Sequence, residues 1–157
     1  MIFIIVFIKA NHGSQMRCRM NTNFKVIEAI SFPSDVNELT KAESLVDKIC
    51  QSLAVNEDHY GNILIAVTEA VNNAIKHGNK NDANKTVSIE VSDAQNEFSI
   101  QIKDEGAGFD FNNLPDPTSP ENIEKENGRG IFLMKSLADK VEFQNNGRDV
   151  VLTFSKG

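Results

Sequence analysis

Apolar residues recur along this chain with two periods, every second residue in some segments and every third or fourth in others. The order of those segments narrows the fold to hairpins interleaved with helices. Period two marks residues 86–92 and 98–104, joined by a turn around 93–96. It marks 140–144 and 148–155 again, joined at Asn146-Gly147, a pair suited to the left-handed backbone of a tight hairpin. An opening strand is expected over 24–31, where Phe24, Val26 and Ile30 partly alternate with polar residues before Pro33 closes the segment. Helical spacing then relates Val36, Leu39, Ala42, Leu45, Val46, Ile49 and Leu53, behind a cap at Ser34 or Asp35. A second helix starts after Asn56, where Glu57 and Asp58 complement its N-terminal amides, and runs to His77 with Gly78 as its stop. A third is expected over 129–138. Between these lie a polar loop, 79–84, and a long one, 109–127, carrying Pro115, Pro117 and Pro120. A loop of that length inside one domain is typical of a lid or a disordered insertion.

With 40% apolar and 24% charged residues, a chain of 157 residues can close one ordinary core. Sixteen Lys and Arg against 22 Asp and Glu leave a net charge of -6, which opposes the phosphate attraction that dominates nucleic-acid binding. Direct binding of DNA or RNA is therefore not expected. Cys18 and Cys50 have no CxxC spacing and form no framework of four or more, which points to neither zinc nor structural disulfides and fits a reduced, cytoplasmic setting. The apolar run 2–8 is too short to span a bilayer, and Met1 stands directly before it where a signal peptide would carry basic residues. No membrane association is expected. Residues 1–20 read as an extension, either disordered or an artefact of start-site choice with Met16 and Met20 as later starts; residues 21–157 read as the domain.

Three blocks carry chemistry. On the second helix Glu69, Asn73, Lys76 and His77 fall at i, i+4, i+7 and i+8, so they share a face while Ile63, Val67, Ala70, Val71 and Ala74 can pack inward. An Asn carbonyl is an apt single ligand for Mg2+, which keeps waters and takes phosphate oxygens for the rest. A carboxylate one turn earlier can accept a hydroxyl proton near a terminal phosphate. Asp104 ends an apolar strand and precedes Gly106 and Gly108, which allow a backbone to approach a ligand closely. Gly128 and Gly130 flank Arg129 at the expected start of the third helix, where free amides favour phosphate. Each block alone has an ordinary reading: a solvated helix face, a strand-end turn, a loop-to-helix joint. His77 alone reads as a cap or packing residue. Together, in this order, they suit Mg-ATP.

These residues resemble the N, G1 and G2 boxes of the ATPase superfamily shared by gyrase, Hsp90, histidine kinases and the MutL repair protein, with the likeness running from about Ile63 to Met134. Within it the chain is most similar to the anti-sigma-factor serine/threonine kinases of bacteria. That resemblance implies an α/β two-layer sandwich, the Bergerat ATP-binding fold, with a mixed, mostly antiparallel sheet and helices on one face. It implies Glu69 as catalytic base, Asn73 as Mg2+ ligand, Asp104 as reader of adenine, and His77, Gly106, Gly108, Gly128, Arg129 and Gly130 around the nucleotide. ATP and Mg2+ are the implied cofactors; a sigma factor and an anti-anti-sigma protein of the STAS type are the implied partners, with a homodimer left open. Only about fifty residues precede the second helix, reading as one strand and one helix, so the helix pair with a phospho-accepting His that a sensor kinase needs is not legible. Two alternatives stand beside the kinase: a non-catalytic, ATP- or ADP-responsive binding module, and a histidine-kinase catalytic domain acting in trans. The single Gly-x-Gly of the third block is shorter than the fuller superfamily pattern, which bears most on Arg129.

Overall fold

Alternation places the strands of β2 (Thr86–Asp93), β3 (Glu97–Lys103) and β5 (Asp149–Ser155) side by side with their apolar residues on one face. Ile89 stands opposite Ile102, and Ile100 opposite Leu152, so the buried side chains line up across the ladders. With β1 (Lys25–Pro33) and β4 (Lys140–Gln144) they form a five-stranded sheet in the order β1-β2-β3-β5-β4. The structure is a computed structural model describing residues 23–113, 119 and 126–157. The expected extension over 1–20 and most of the expected loop over 109–127 lie outside the described residues.

Every ladder in this sheet is antiparallel. β3 and β4 run in the same direction, joined through helix α3 (Glu126–Leu137), and would give a mixed sheet if they paired. The turn at Asn145–Gly147 instead sends β5 back into the gap between them. The mixed character expected from the sequence is thereby removed, and the antiparallel part is the whole.

Helices α1 (Leu39–Ser52) and α2 (Glu57–Asn73) cover the apolar face together with α3. Leu45, Val46 and Ile49 of α1, Ile63, Val67 and Val71 of α2, and Ile131 and Met134 of α3 share one core with Phe98, Ile100, Leu152 and Phe154 of the sheet. Burying each such side chain stabilises by roughly 1.5–3 kcal/mol, which is what holds helices that would be marginal in isolation. The other face of the sheet carries polar residues such as Ser88, Glu90, Ser99 and Gln101, so the molecule has two layers.

The caps follow the sequence. Asn56 accepts the Asp58 amide at 3.0 Å at the start of α2, while Asp35 accepts the Asn37 amide at 2.9 Å and opens a 3-10 turn, Val36–Glu38, ahead of α1. The opening strand departs from its expected stripe. Its register shifts between Val26 and Glu28, which leaves Val26 opposite Ser92 on the polar face and exposed; Ile30 and Phe32 are the β1 residues that meet the core.

Candidate nucleotide site

Helix α2 keeps its α winding only to Asn73. The next turn, Ala74–Gly78, is π-wound, with the Asn79 amide donating to the Ala74 carbonyl five residues back at 2.8 Å. Such single π turns are uncommon and concentrate at functional sites. This one brings Asn73, His77 and Gly78 to the wall of a cavity of about 260 Å3. The opposite wall comes from Ile102 and Asp104 at the end of β3, Gly108 and Phe109 beyond it, and Gly147, Arg148 and Val150 at the β4–β5 turn. Ile131 and Met134 of α3 and Phe143 of β4 complete it. The interior is therefore mostly apolar, with a few polar groups set in it, as sites for small planar ligands generally are.

Asp104 is held by both neighbours in the chain and neighbours in space. Its amide donates to the Arg148 carbonyl at 3.1 Å, and its Oδ1 accepts the Gly106 amide at 2.7 Å. Partial burial pushes its carboxyl above the usual carboxylate range; the Gly106 amide opposes that, the charge of Asp149 adds to it, and Arg148 and Lys85 oppose it. Gly78 and Gly106 make the packing around it feasible. A methyl group on Gly78 would stand 2.3 Å from the Asp104 carboxyl carbon, and one on Gly106 only 2.1 Å from the Gly78 carbonyl oxygen. Gly106 thus sits behind Asp104, fixing the carboxylate, and is not among the residues lining the cavity.

Glu69 and Asn73 meet α3 at Gly130. A methyl group there would lie 2.9 Å from Glu69 Oε2 and 3.2 Å from Asn73 Nδ2, so the absence of a side chain lets the two helices close on these polar groups. The helix begins at Glu126, earlier than the expected Arg129, which puts Gly128 and Gly130 inside its first turns. Both glycines are buried and Arg129 between them is exposed, away from the cavity wall. In sequence a glycine pair marks a joint; here packing against α2 outweighs its poor helix propensity.

Phe109, Phe143 and Arg148 were not legible as site residues. The Asn146-Gly147 turn was legible as a hairpin, but nothing local showed that it docks on the segment after Asp104. There the Phe109 amide donates to the Asn146 carbonyl at 2.8 Å, and Gly108 and Gly147 both take left-handed backbone, φ +82 and +81. The Phe109 and Phe143 rings meet edge to face, with centroids 5.5 Å apart, and form an aromatic flank to the cavity.

The sequence matches the histidine kinase-like ATPase domain over residues 32–156. The chain belongs to this family. Among its relatives, a serine-protein kinase RsbW of Bacillus cereus (strain AH820) is 32% identical over 103 residues, 61% of this chain and 64% of that protein. A serine-protein kinase RsbW of Bacillus subtilis (strain 168) is 31% identical over 112 residues, 67% of this chain and 70% of that protein. The chain thus spans somewhat under two thirds of the Bacillus cereus relative. A crystal structure of RsbU and RsbW domains from Mycobacterium tuberculosis superposes on 82% of this chain and 32% of that one, with a TM-score of 0.47 and 12% identity. No helix among the described residues of this histidine kinase-like ATPase is long and apolar enough to cross a membrane.

Proposed function

We propose that this chain is an ATP-dependent serine/threonine protein kinase that acts as an anti-sigma factor, phosphorylating an anti-anti-sigma protein of the STAS type in a partner-switching circuit. The observation that carries the reading is that Asp104 and Asn73 line one apolar, aromatic-flanked cavity, with Glu69 outside its lining at the same α2–α3 contact as Asn73. That separation of a carboxylate for a base from polar groups for phosphates fits Mg-ATP. The names of the Bacillus relatives support the protein-kinase class.

Bound Mg2+ would supply charge neutralisation on the phosphates. Asn73 offers it one hard carboxamide oxygen, leaving room for water and phosphate ligands. The Asp104 carboxylate accepts from the amino group of adenine, and Ile102, Met134, Phe109 and Phe143 exclude water around the base. Glu69 takes the proton of the acceptor hydroxyl as the serine oxygen forms its bond to phosphorus and ADP leaves. Phosphoryl transfer depends mainly on positioning and charge, so this small set is adequate.

The test is transfer of labelled phosphate from ATP to a STAS-type partner captured from native lysate. Wild type should give acid-stable product; Glu69→Gln should bind ATP normally and lose about 10²- to 10⁴-fold in rate, the range for a lost general base. Wild-type rate in the variant would remove Glu69 from the chemistry. An acid-labile product would place the chain with histidine kinases, and nucleotide-dependent partner binding with no transfer in wild type would make it a binding module.

A further inference from the structure

The polar stretch after the second helix contains several asparagines, and one of them stands apart in the fold. Asn79 is fully buried, 0% exposed, whereas Asn81 and Asn84 are not. Its Nδ2 donates to the Thr86 carbonyl at 2.8 Å and its Oδ1 accepts the Glu105 amide, also at 2.8 Å. Its own amide donates to the Ala74 carbonyl and closes the π turn. Backbone and carboxamide of this one residue therefore join the end of α2, the first residue of β2 and the peptide that follows Asp104.

That peptide decides where the Asp104 carboxylate points. Asp104 lies between the Arg148 carbonyl, which receives its amide, and the Gly106 amide, which donates to its Oδ1. On its other side the carboxyl packs against Gly78, where any side chain would collide with it. With the Glu105 amide tied to Asn79, the intervening peptide plane cannot rotate without leaving the fully buried Asn79 carboxamide oxygen without this partner, which costs stability. We propose that Asn79 is a positioning residue for nucleobase recognition: its hydrogen bond to the Glu105 amide holds Asp104 in the orientation that selects the amino group of adenine. The proposal rests on the ATP-binding reading above and assigns Asn79 no contact with ATP.

Inosine triphosphate separates the two ideas, because it carries a carbonyl where adenosine has its amino group and so forfeits what Asp104 accepts. Calorimetric affinities for ATP and inosine triphosphate are measured at pH 8 on wild type, Asn79→Ala, Asn79→Asp, Asp104→Asn and the Asn79→Ala/Asp104→Asn double variant, each checked for fold by circular dichroism. Wild type should prefer ATP. Asn79→Ala should reduce that preference by about fivefold, and adding it to Asp104→Asn should change the preference little beyond what Asp104→Asn alone does. Asn79→Asp keeps an acceptor for the Glu105 amide but loses the donor to Thr86 and places a buried charge against the Thr86 carbonyl, so it should lose thermal stability yet, where it folds, retain most of the preference. If Asn79→Ala weakens both nucleotides equally, or if no Asn79 variant folds, Asn79 serves the fold alone and the proposal is wrong. If folded wild type binds neither nucleotide, or binds both alike, the adenine reading itself fails.

Discussion

Burial raises the Asp104 carboxyl above the ordinary carboxylate range, the Gly106 amide opposes it and the Asp149 charge adds to it, with Arg148 and Lys85 opposing. A carboxyl whose pKa is higher folded than unfolded contributes stability below the unfolded value, and that contribution is lost as pH rises through the folded one. At neutral pH the ionised group therefore costs the nucleotide-free protein stability. Asp104→Asn keeps an oxygen for the Gly106 amide and should raise the melting temperature at pH 7, with the gain vanishing below about 3.9, the pKa of an aspartate in the unfolded chain. The same change should weaken ATP by about tenfold or more, since a hydrogen bond to a charged group contributes roughly 1.5–3 kcal/mol. Calorimetry across pH with and without ATP checks both; a melting temperature that falls at pH 7 contradicts the first. Asp104 stood out in the sequence only together with the other two blocks, because an acid followed by glycines at the end of a strand is by itself ordinary turn chemistry. Asn79 did not, because its residue type and loop setting are shared by Asn81 and Asn84, and only burial separates them.

Two glycines show how differently one residue type acts within elements. Gly61 lies inside α2, and a methyl group there meets nothing within 4 Å. Gly61→Ala should stabilise by about 0.5–1 kcal/mol through helix propensity alone. Gly108 has φ +82, and a methyl group would stand 2.0 Å from the Asn146 carbonyl oxygen, a backbone atom that cannot easily give way. Gly108→Ala should therefore destabilise by more than the roughly 1–2 kcal/mol of left-handed strain and reduce ATP affinity by unseating the Asp104 segment from the β4–β5 turn. Urea unfolding of both variants tests the contrast, and equal midpoints would refute it. The start of α2 was legible through Asn56 and that of the 3-10 turn ahead of α1 through Asp35, whose side chains reach amides two residues away. The end of α2 was not, since α and π winding differ by one residue over a turn and the apolar pattern up to Ile75 suits either. Docking of Gly78 onto Asp104 accompanies the π turn.

At the scale of the molecule the site depends on the sheet beneath it. Leu152 is fully buried on β5, between Ile100 of β3 and Val141 of β4, and Val150 on the same strand lines the cavity. Leu152→Ala should cost about 2–5 kcal/mol, the range for emptying a buried aliphatic site. Its urea midpoint should fall with an unchanged slope, and a shift within measurement error would show that the core closes over the gap. The chain by itself determined what short-range physics controls: the two apolar periods, the polar caps, the Asn146-Gly147 turn, and the residue types suited to a nucleotide. Tertiary structure alone decided the placement of β5 between β3 and β4, the burial of Asn79, the entry of Phe143 and Arg148 into the cavity wall, and the approach of α3 to Glu69 and Asn73 at Gly130. These are contacts between segments far apart in sequence, and their energy comes from shared burial and close backbone approach, which no local window of residues encodes.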